Sequence, residues 1–232
     1  MINSGQKNLI LKLVGAWGVR YLGFLVMTIM AVWSEARPAP GLPDAIIDRV
    51  PFVDWVSGWN YYLWIIAWAP LTIWLLCCRP LRAYRLLLAG GILSVIRGLC
   101  IMATGLGPPR GEDINAGMSA ADRLAGIWAV ANPFSALVED SAFVYLSKDL
   151  FFSGHVATTF LVVLYVWPKK SLRVWALIAH FLVTASVFLS HLHYTIDVIG
   201  AYAITFAMFV LMEKDPRLST EDDLGPRWSE IT

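Results

Sequence analysis

The sequence contains four histidines, at positions 155, 180, 191 and 193, and two of them have neighbours suited to chemistry. His193 stands four residues before Asp197, a spacing that places two side chains on one helical face. A carboxylate there can accept the proton of one imidazole nitrogen, fix the tautomer and leave the other nitrogen nucleophilic. A simple helix-end ion pair would use the same spacing. His155 closes the run Ser153-Gly154-His155. Ser153 is an N-cap residue type, and Gly154 lets a ligand approach the backbone. Free N–H groups at a helix start attract phosphate. His155 could then give a proton to a departing alkoxide. Each histidine alone reads as an ordinary interfacial residue; the two motifs together point to phosphoryl chemistry.

The elements that must position them are membrane helices. The 232 residues are 58% hydrophobic and 15% charged, with a mean hydropathy of +0.62. Soluble domains carry about 25% charged residues. The net charge of +1 offers no field for nucleic acid. Cys77, Cys78 and Cys100 fall in or beside apolar runs, so no disulfide framework is expected. The first apolar stretch is too long for a cleavable signal peptide and lacks a small-residue cleavage site. Runs of about 20 apolar residues predict six spans, at roughly 14–34, 56–78, 84–106, 151–167, 174–190 and 194–212. The fold class is therefore all-α: a polytopic bundle of six transmembrane helices forming one domain over 1–232. Within it, 107–150 is a long loop in which Ser119 to Val130 has helical spacing and could form a lid. Residues 213–232 form a tail.

Orientation follows from the Lys/Arg bias. Eleven basic residues fall on one side: Lys7, Lys12, Arg79, Arg82, Arg85, Lys169, Lys170, Arg173, Lys214, Arg217 and Arg227. Five fall on the other: Arg37, Arg49, Arg110, Arg123 and Lys148. Both termini are expected to be cytoplasmic. His155 and His193 then begin the fourth and sixth spans at one depth, on the extracytoplasmic face. Ionisable groups at membrane depth are costly and mark function.

The segments Asp149-Leu-Phe-Phe-Ser153-Gly-His155 and His191-Leu-His193-Tyr-Thr-Ile-Asp197-Val resemble the sphingomyelin synthase family, a branch of the type 2 phosphatidic acid phosphatase superfamily. Leu42-Pro43-Asp44 through Asp48 is similar to that family's stretch after the first span. Arg97 through Thr104 to Pro108-Pro109 is similar to its arginine-to-proline stretch. The resemblance runs in order over about 41–204. It departs at Gly41 and Gly107 within the proline-rich motifs and at Ser147-Lys148 before Asp149. The resemblance implies His193 as nucleophile, Asp197 as its orienting carboxylate and His155 as acid/base. The phosphatase branch has an arginine six residues before the nucleophile, where this chain has Val187. Its Arg-Pro pair, here Arg79-Pro80, lies on the cytoplasmic side.

Arg97 is then the expected substitute cation, about two turns inside the third span, roughly 12–14 Å by helix rise. It is expected to hold headgroup phosphate or pair with an acid of the site, unless it only serves a buried carbonyl or carboxylate. Asp44 and Asp48 either attract a choline or ethanolamine cation or cap and solvate a turn. Asp149 is a further supporting candidate, with Ser153 and Gly154 as substrate-binding residues. His191 reads as interfacial and His180 as a packing histidine. The tryptophans and tyrosines at 55, 59, 61 and 62 read as an aromatic belt or a cage for a quaternary amine.

The resemblance implies a transferase that moves a phosphocholine or phosphoethanolamine headgroup from a phospholipid donor to a ceramide or diacylglycerol-like lipid, through a phosphohistidine. No cofactor and no metal are expected, since nothing has metal-ligand spacing. The alternatives are a lipid phosphate phosphatase or phospholipase C-like hydrolase, and a non-enzymatic scaffold or transporter. The expected location is a bacterial inner membrane, or a plasma or Golgi membrane. Nothing fixes an oligomeric state.

Overall fold

The computed structural model describes residues 3–132, 145–213 and 227–231. Among them seven α-helices and one short 3₁₀ turn occur, and no strand. They are α1 Ser4–Glu35, α2 Asp54–Cys78, α3 Pro80–Ala103, α4 Ala120–Ala131, α5 Gly154–Val166, α6 Lys170–Leu189 and α7 Thr195–Glu213. Most of the expected tail 213–232, including Lys214 and Arg217, lies outside the described residues, as does part of the loop 107–150.

Five helices, α1, α2, α3, α6 and α7, are long and apolar enough to cross a membrane. They expose large apolar side chains, among them Leu22, Ile66, Phe181 and Leu211, as lipid-facing surfaces do. The chain is an integral membrane protein. The expected fourth span is shorter than its sequence run. α5 has 13 residues, about 20 Å at 1.5 Å per residue, against a hydrocarbon core of about 30 Å. The Ser153 hydroxyl accepts from the Val156 N–H and ends the helix there, so Phe151 and Phe152 precede it as irregular backbone. Such backbone survives in a membrane only inside protein. Phe152 and Ser153 are fully buried, and Arg97 of α3 donates to the Phe152 carbonyl at 2.6 Å.

α1 and α3 pack with their backbones nearly touching. A Cβ on Gly23 would sit 2.2 Å from the Gly91 carbonyl oxygen, so neither helix could approach this closely with larger residues. Arg20 of α1 donates to the Ser94 hydroxyl across the same seam at 2.9 Å. α5 is the buried centre, with Val156, Leu161, Val163 and Val166 in the core. α4 opens with a Ser119–Asp122 capping box and runs along α1, its Gly126 against Tyr145 and Val32. Its Leu124 and Trp128 point outward.

The helix ends sort into two sets. At one, Arg82 donates to the Tyr165 carbonyl at 2.8 Å, Arg85 pairs with Glu213 at 3.2 Å, and Trp228 donates to the Leu76 carbonyl. At the other, the Val53 N–H donates to the Leu189 carbonyl, Gly107 N–H to Pro40, and Ser153 N–H to Asp197. This second end brings together the C-terminal ends of α1, α3 and α6 and the N-terminal ends of α2, α5 and α7.

Candidate active site

Three loops meet at that end because Tyr194 staples them. Its hydroxyl is 3.1 Å from the Gly107 carbonyl and 3.2 Å from that of Pro108, and it accepts the Leu42 N–H at 2.9 Å. A side chain on Gly107 would meet the Ala39 carbonyl oxygen at 2.4 Å, so this motif position is a glycine because two backbones touch there. Asp44 reaches α7 from the same cluster and accepts the Thr195 N–H at 2.6 Å and its hydroxyl at 2.7 Å. Burial raises the Asp44 carboxyl, but the hydrogen bonds from Thr195, Ile47 and Ile46 outweigh it and hold it below its ordinary value. Asp48 accepts the Asp44 N–H at 3.1 Å. Both carboxylates accept backbone N–H groups, the geometry of a cap.

The turn so held carries His193, which lies just ahead of α7 rather than inside it. Its ring is buried, with Nδ1 3.4 Å from Oδ2 of the fully buried Asp197. That oxygen also accepts the Tyr194 N–H at 2.9 Å. The separation is an ion-pair contact a few tenths of an ångström longer than a hydrogen bond, as substrate-free catalytic pairs often are. The His155 ring, at the first turn of α5, is 6.3 Å from the His193 ring between centroids. One phosphorus atom between them could be reached by a nitrogen of each.

Both imidazoles line a cavity of about 460 Å³, with Ser57, Asn60, Tyr61, Arg110, Glu112, Asp149 and His191 among its other walls. Asp44, Asp48, Arg97 and Ser153 are not among them. Arg97 lies behind that wall, among an acid and two carbonyls. It pairs with Asp149 at 2.8 Å and donates to the carbonyls of Asp149 and Phe152 at 3.0 and 2.6 Å. Its remaining contact is Met27 Sδ at 3.3 Å. These contacts tie Arg97 to the segment that leads into His155. Gly154 has a matching explanation: a Cβ there would be 3.0 Å from the Arg97 guanidinium carbon. The close approach it permits is that of Arg97, where the sequence suggests a ligand. His180 is a packing histidine, between the Thr159 hydroxyl at 2.7 Å and the Tyr202 hydroxyl at 2.8 Å. His191, with φ of 48°, donates from Nε2 to the Val50 carbonyl and lies edge-on to Phe52.

Sequence reasoning missed two groups. Arg110 stacks on Phe52 with its guanidinium carbon 3.4 Å from the ring centroid, and among the described residues it is the arginine on the cavity wall. Asn60 is buried inside the apolar α2, 3.2 Å from His155 Nε2. A lone amide in a membrane helix was the available signal, since such groups face the bundle interior.

Residues 148–214 match the family model described as PAP2 superfamily C-terminal. The chain is similar to human phosphatidylcholine:ceramide cholinephosphotransferase 1, with 27% identity over 223 residues, covering 83% of this chain and 52% of the human protein. The pig protein of the same name matches at 27% identity, again over 83% of this chain and 51% of its own. The chain thus spans about half the length of the curated relatives it matches.

Proposed function

We propose, for a chain similar to phosphatidylcholine:ceramide cholinephosphotransferase 1 and matching the PAP2 superfamily C-terminal model, a lipid phosphotransferase working by two displacements at one phosphorus. His193, its Nδ1 turned to Asp197, attacks the phosphorus of a phospholipid through Nε2. The phosphorus–oxygen bond to diacylglycerol breaks, and the leaving oxygen takes a proton from His155. A lipid alcohol of the ceramide class then gives its proton to His155 and attacks the headgroup-phosphohistidine, breaking the phosphorus–nitrogen bond. Phosphocholine and phosphoethanolamine are the headgroups proposed, and the extracytoplasmic face of a bacterial inner membrane is the proposed location.

The observation that carries this reading is the placement of the two imidazoles, 6.3 Å apart on one cavity wall with a buried carboxylate behind the second. Arg110 is proposed as the phosphate-holding cation, because Arg97 is committed to Asp149. Diester phosphate carries one negative charge, which one guanidinium can match bidentately. A supporting lid role for α4 is not proposed, since its contacts run to α1.

The test supplies headgroup-labelled phospholipid to purified protein with and without ceramide. Label appearing in a new lipid only with ceramide, and lost in His155→Ala and His193→Ala, is the expected result. Equal release of water-soluble headgroup phosphate in both cases would make the protein a hydrolase.

A further inference from the structure

Asn60 is 4% exposed and Ser186 3%, inside the helix bundle. An amide placed there without partners is costly, and a leucine would fill the same space. Its partners are Ser186 of α6 on one side and His155 of α5 on the other. Trp64, one turn along α2, packs on the His155 ring at 5.3 Å between centroids. Asn60 and Trp64 therefore fix the ring's position from a single helix face.

The Ser186 hydroxyl donates to Oδ1 of Asn60 at 2.6 Å, a length that suits an O–H···O bond. Its Oγ is also 2.8 Å from the Val183 carbonyl. With its oxygen on Ser186, the amide turns Nδ2 to Nε2 of His155 at 3.2 Å.

We infer that Asn60 is a positioning residue: anchored by Ser186, it holds the His155 ring at Nε2 and leaves Nδ1 as the nitrogen that exchanges protons with the lipid. The inference rests on the acid/base role proposed for His155. It pairs the two histidines in opposite senses, His193 working through Nε2 with Nδ1 held by Asp197, and His155 through Nδ1 with Nε2 held by Asn60. The neutral amide suits a group that must both give and take a proton. Asp197 stabilises a cation beside it, whereas Asn60 orients the ring without adding a charge. The ionisable groups that act on His155 or line its cavity are His193, Arg97, Asp149, Arg110, Glu112, His191 and Tyr61 of α2; the two α2 side chains that touch its ring, Asn60 and Trp64, are uncharged.

The experiment compares Asn60→Leu, Asn60→Asp and His193→Ala with the full-length protein in detergent or nanodiscs, measuring kcat, KM and the pH profile of headgroup transfer. Asn60→Leu is expected to lower kcat roughly 10–100-fold with KM little changed, as loss of an orienting partner for acid/base catalysis does. Asn60→Asp keeps the acceptor for Ser186 and puts a charge beside His155, so it is expected to fold, retain activity, and move the His155 limb of the profile to higher pH by about one unit or more. Should Asn60→Leu not fold, the Asn60→Asp profile carries the test. Asn60→Leu with wild-type kcat, or an Asn60→Asp profile superimposable on wild type, would overturn the inference. Full activity in His193→Ala would instead overturn the proposed function beneath it.

Discussion

Arg97 separates a clamp from a phosphate ligand, and its replacement measures which it is. Arg97→Met keeps the side chain's length and removes the guanidinium. The half-buried Asp149, whose Oδ1 has no partner among the described residues, then loses its ion pair with Arg97, and the carbonyls of Asp149 and Phe152 lose their donor. Breaking one side of a buried pair costs about 3–5 kcal/mol. The two orphaned carbonyls add about 1–3 kcal/mol each where the loop cannot reach water. For a chain of this length each kcal/mol moves the midpoint by roughly 2–4 °C. A fall in Tm of about 10 °C or more in detergent is therefore expected. The double variant Arg97→Met/Asp149→Leu, which removes the stranded charge, should recover part of it. The assay is thermal unfolding read by tryptophan fluorescence beside transfer kinetics. An Arg97→Met protein with unchanged Tm and a raised KM for phospholipid would refute the clamp and restore Arg97 as the headgroup ligand.

Three further expectations follow from the same geometry. Gly107→Val pushes a side chain into the Ala39 carbonyl and should cost about 1–3 kcal/mol as an overpacked contact, read as a lower Tm; a neutral result would mean the two loops can part. Arg110→Ala should raise KM for phospholipid roughly tenfold while leaving kcat nearer wild type, with Arg110→Lys intermediate because lysine lacks the planar fork; an unchanged KM would remove Arg110 from the site. Asp44 has its carboxyl held low in the fold, so its stabilisation is complete above the unfolded-state value and is lost as pH falls through the lower folded value. Asp44→Asn should accordingly flatten the acid limb of the stability curve, and identical acid limbs would contradict the cap on α7.

The bundle was legible because a span announces itself locally: about 20 apolar residues leave little alternative to a membrane helix. His155, His193 and Asp197 were legible for a related reason, since topology alone brings the starts of α5 and α7 to one end. What stayed hidden depended on partners remote in sequence. Phe151 and Phe152 look like helix residues, and only the Arg97 contact to the Phe152 carbonyl, 55 positions away, explains why the helix waits for Ser153. Asp44 reads as a headgroup acid or a local cap until Thr195 arrives from 151 residues downstream. Asn60 has no motif around it; its meaning comes from Ser186 and His155, on two other helices. His193 and Asp197 keep their four-residue spacing, yet the histidine sits in the turn before the helix. Its contact with Asp197 is set by the Tyr194 N–H and the loop staple rather than by helical periodicity alone.

The most direct measurement traps the covalent intermediate. Protein mixed with phospholipid and no acceptor, then quenched in alkali to protect phosphoramidate, is digested and analysed by mass spectrometry. The account predicts a headgroup-phosphate adduct on the peptide carrying His193, removed by a chase of ceramide and missing in His193→Ala. An active enzyme whose adduct sits on another residue, or that transfers headgroups with no adduct at all, would contradict it.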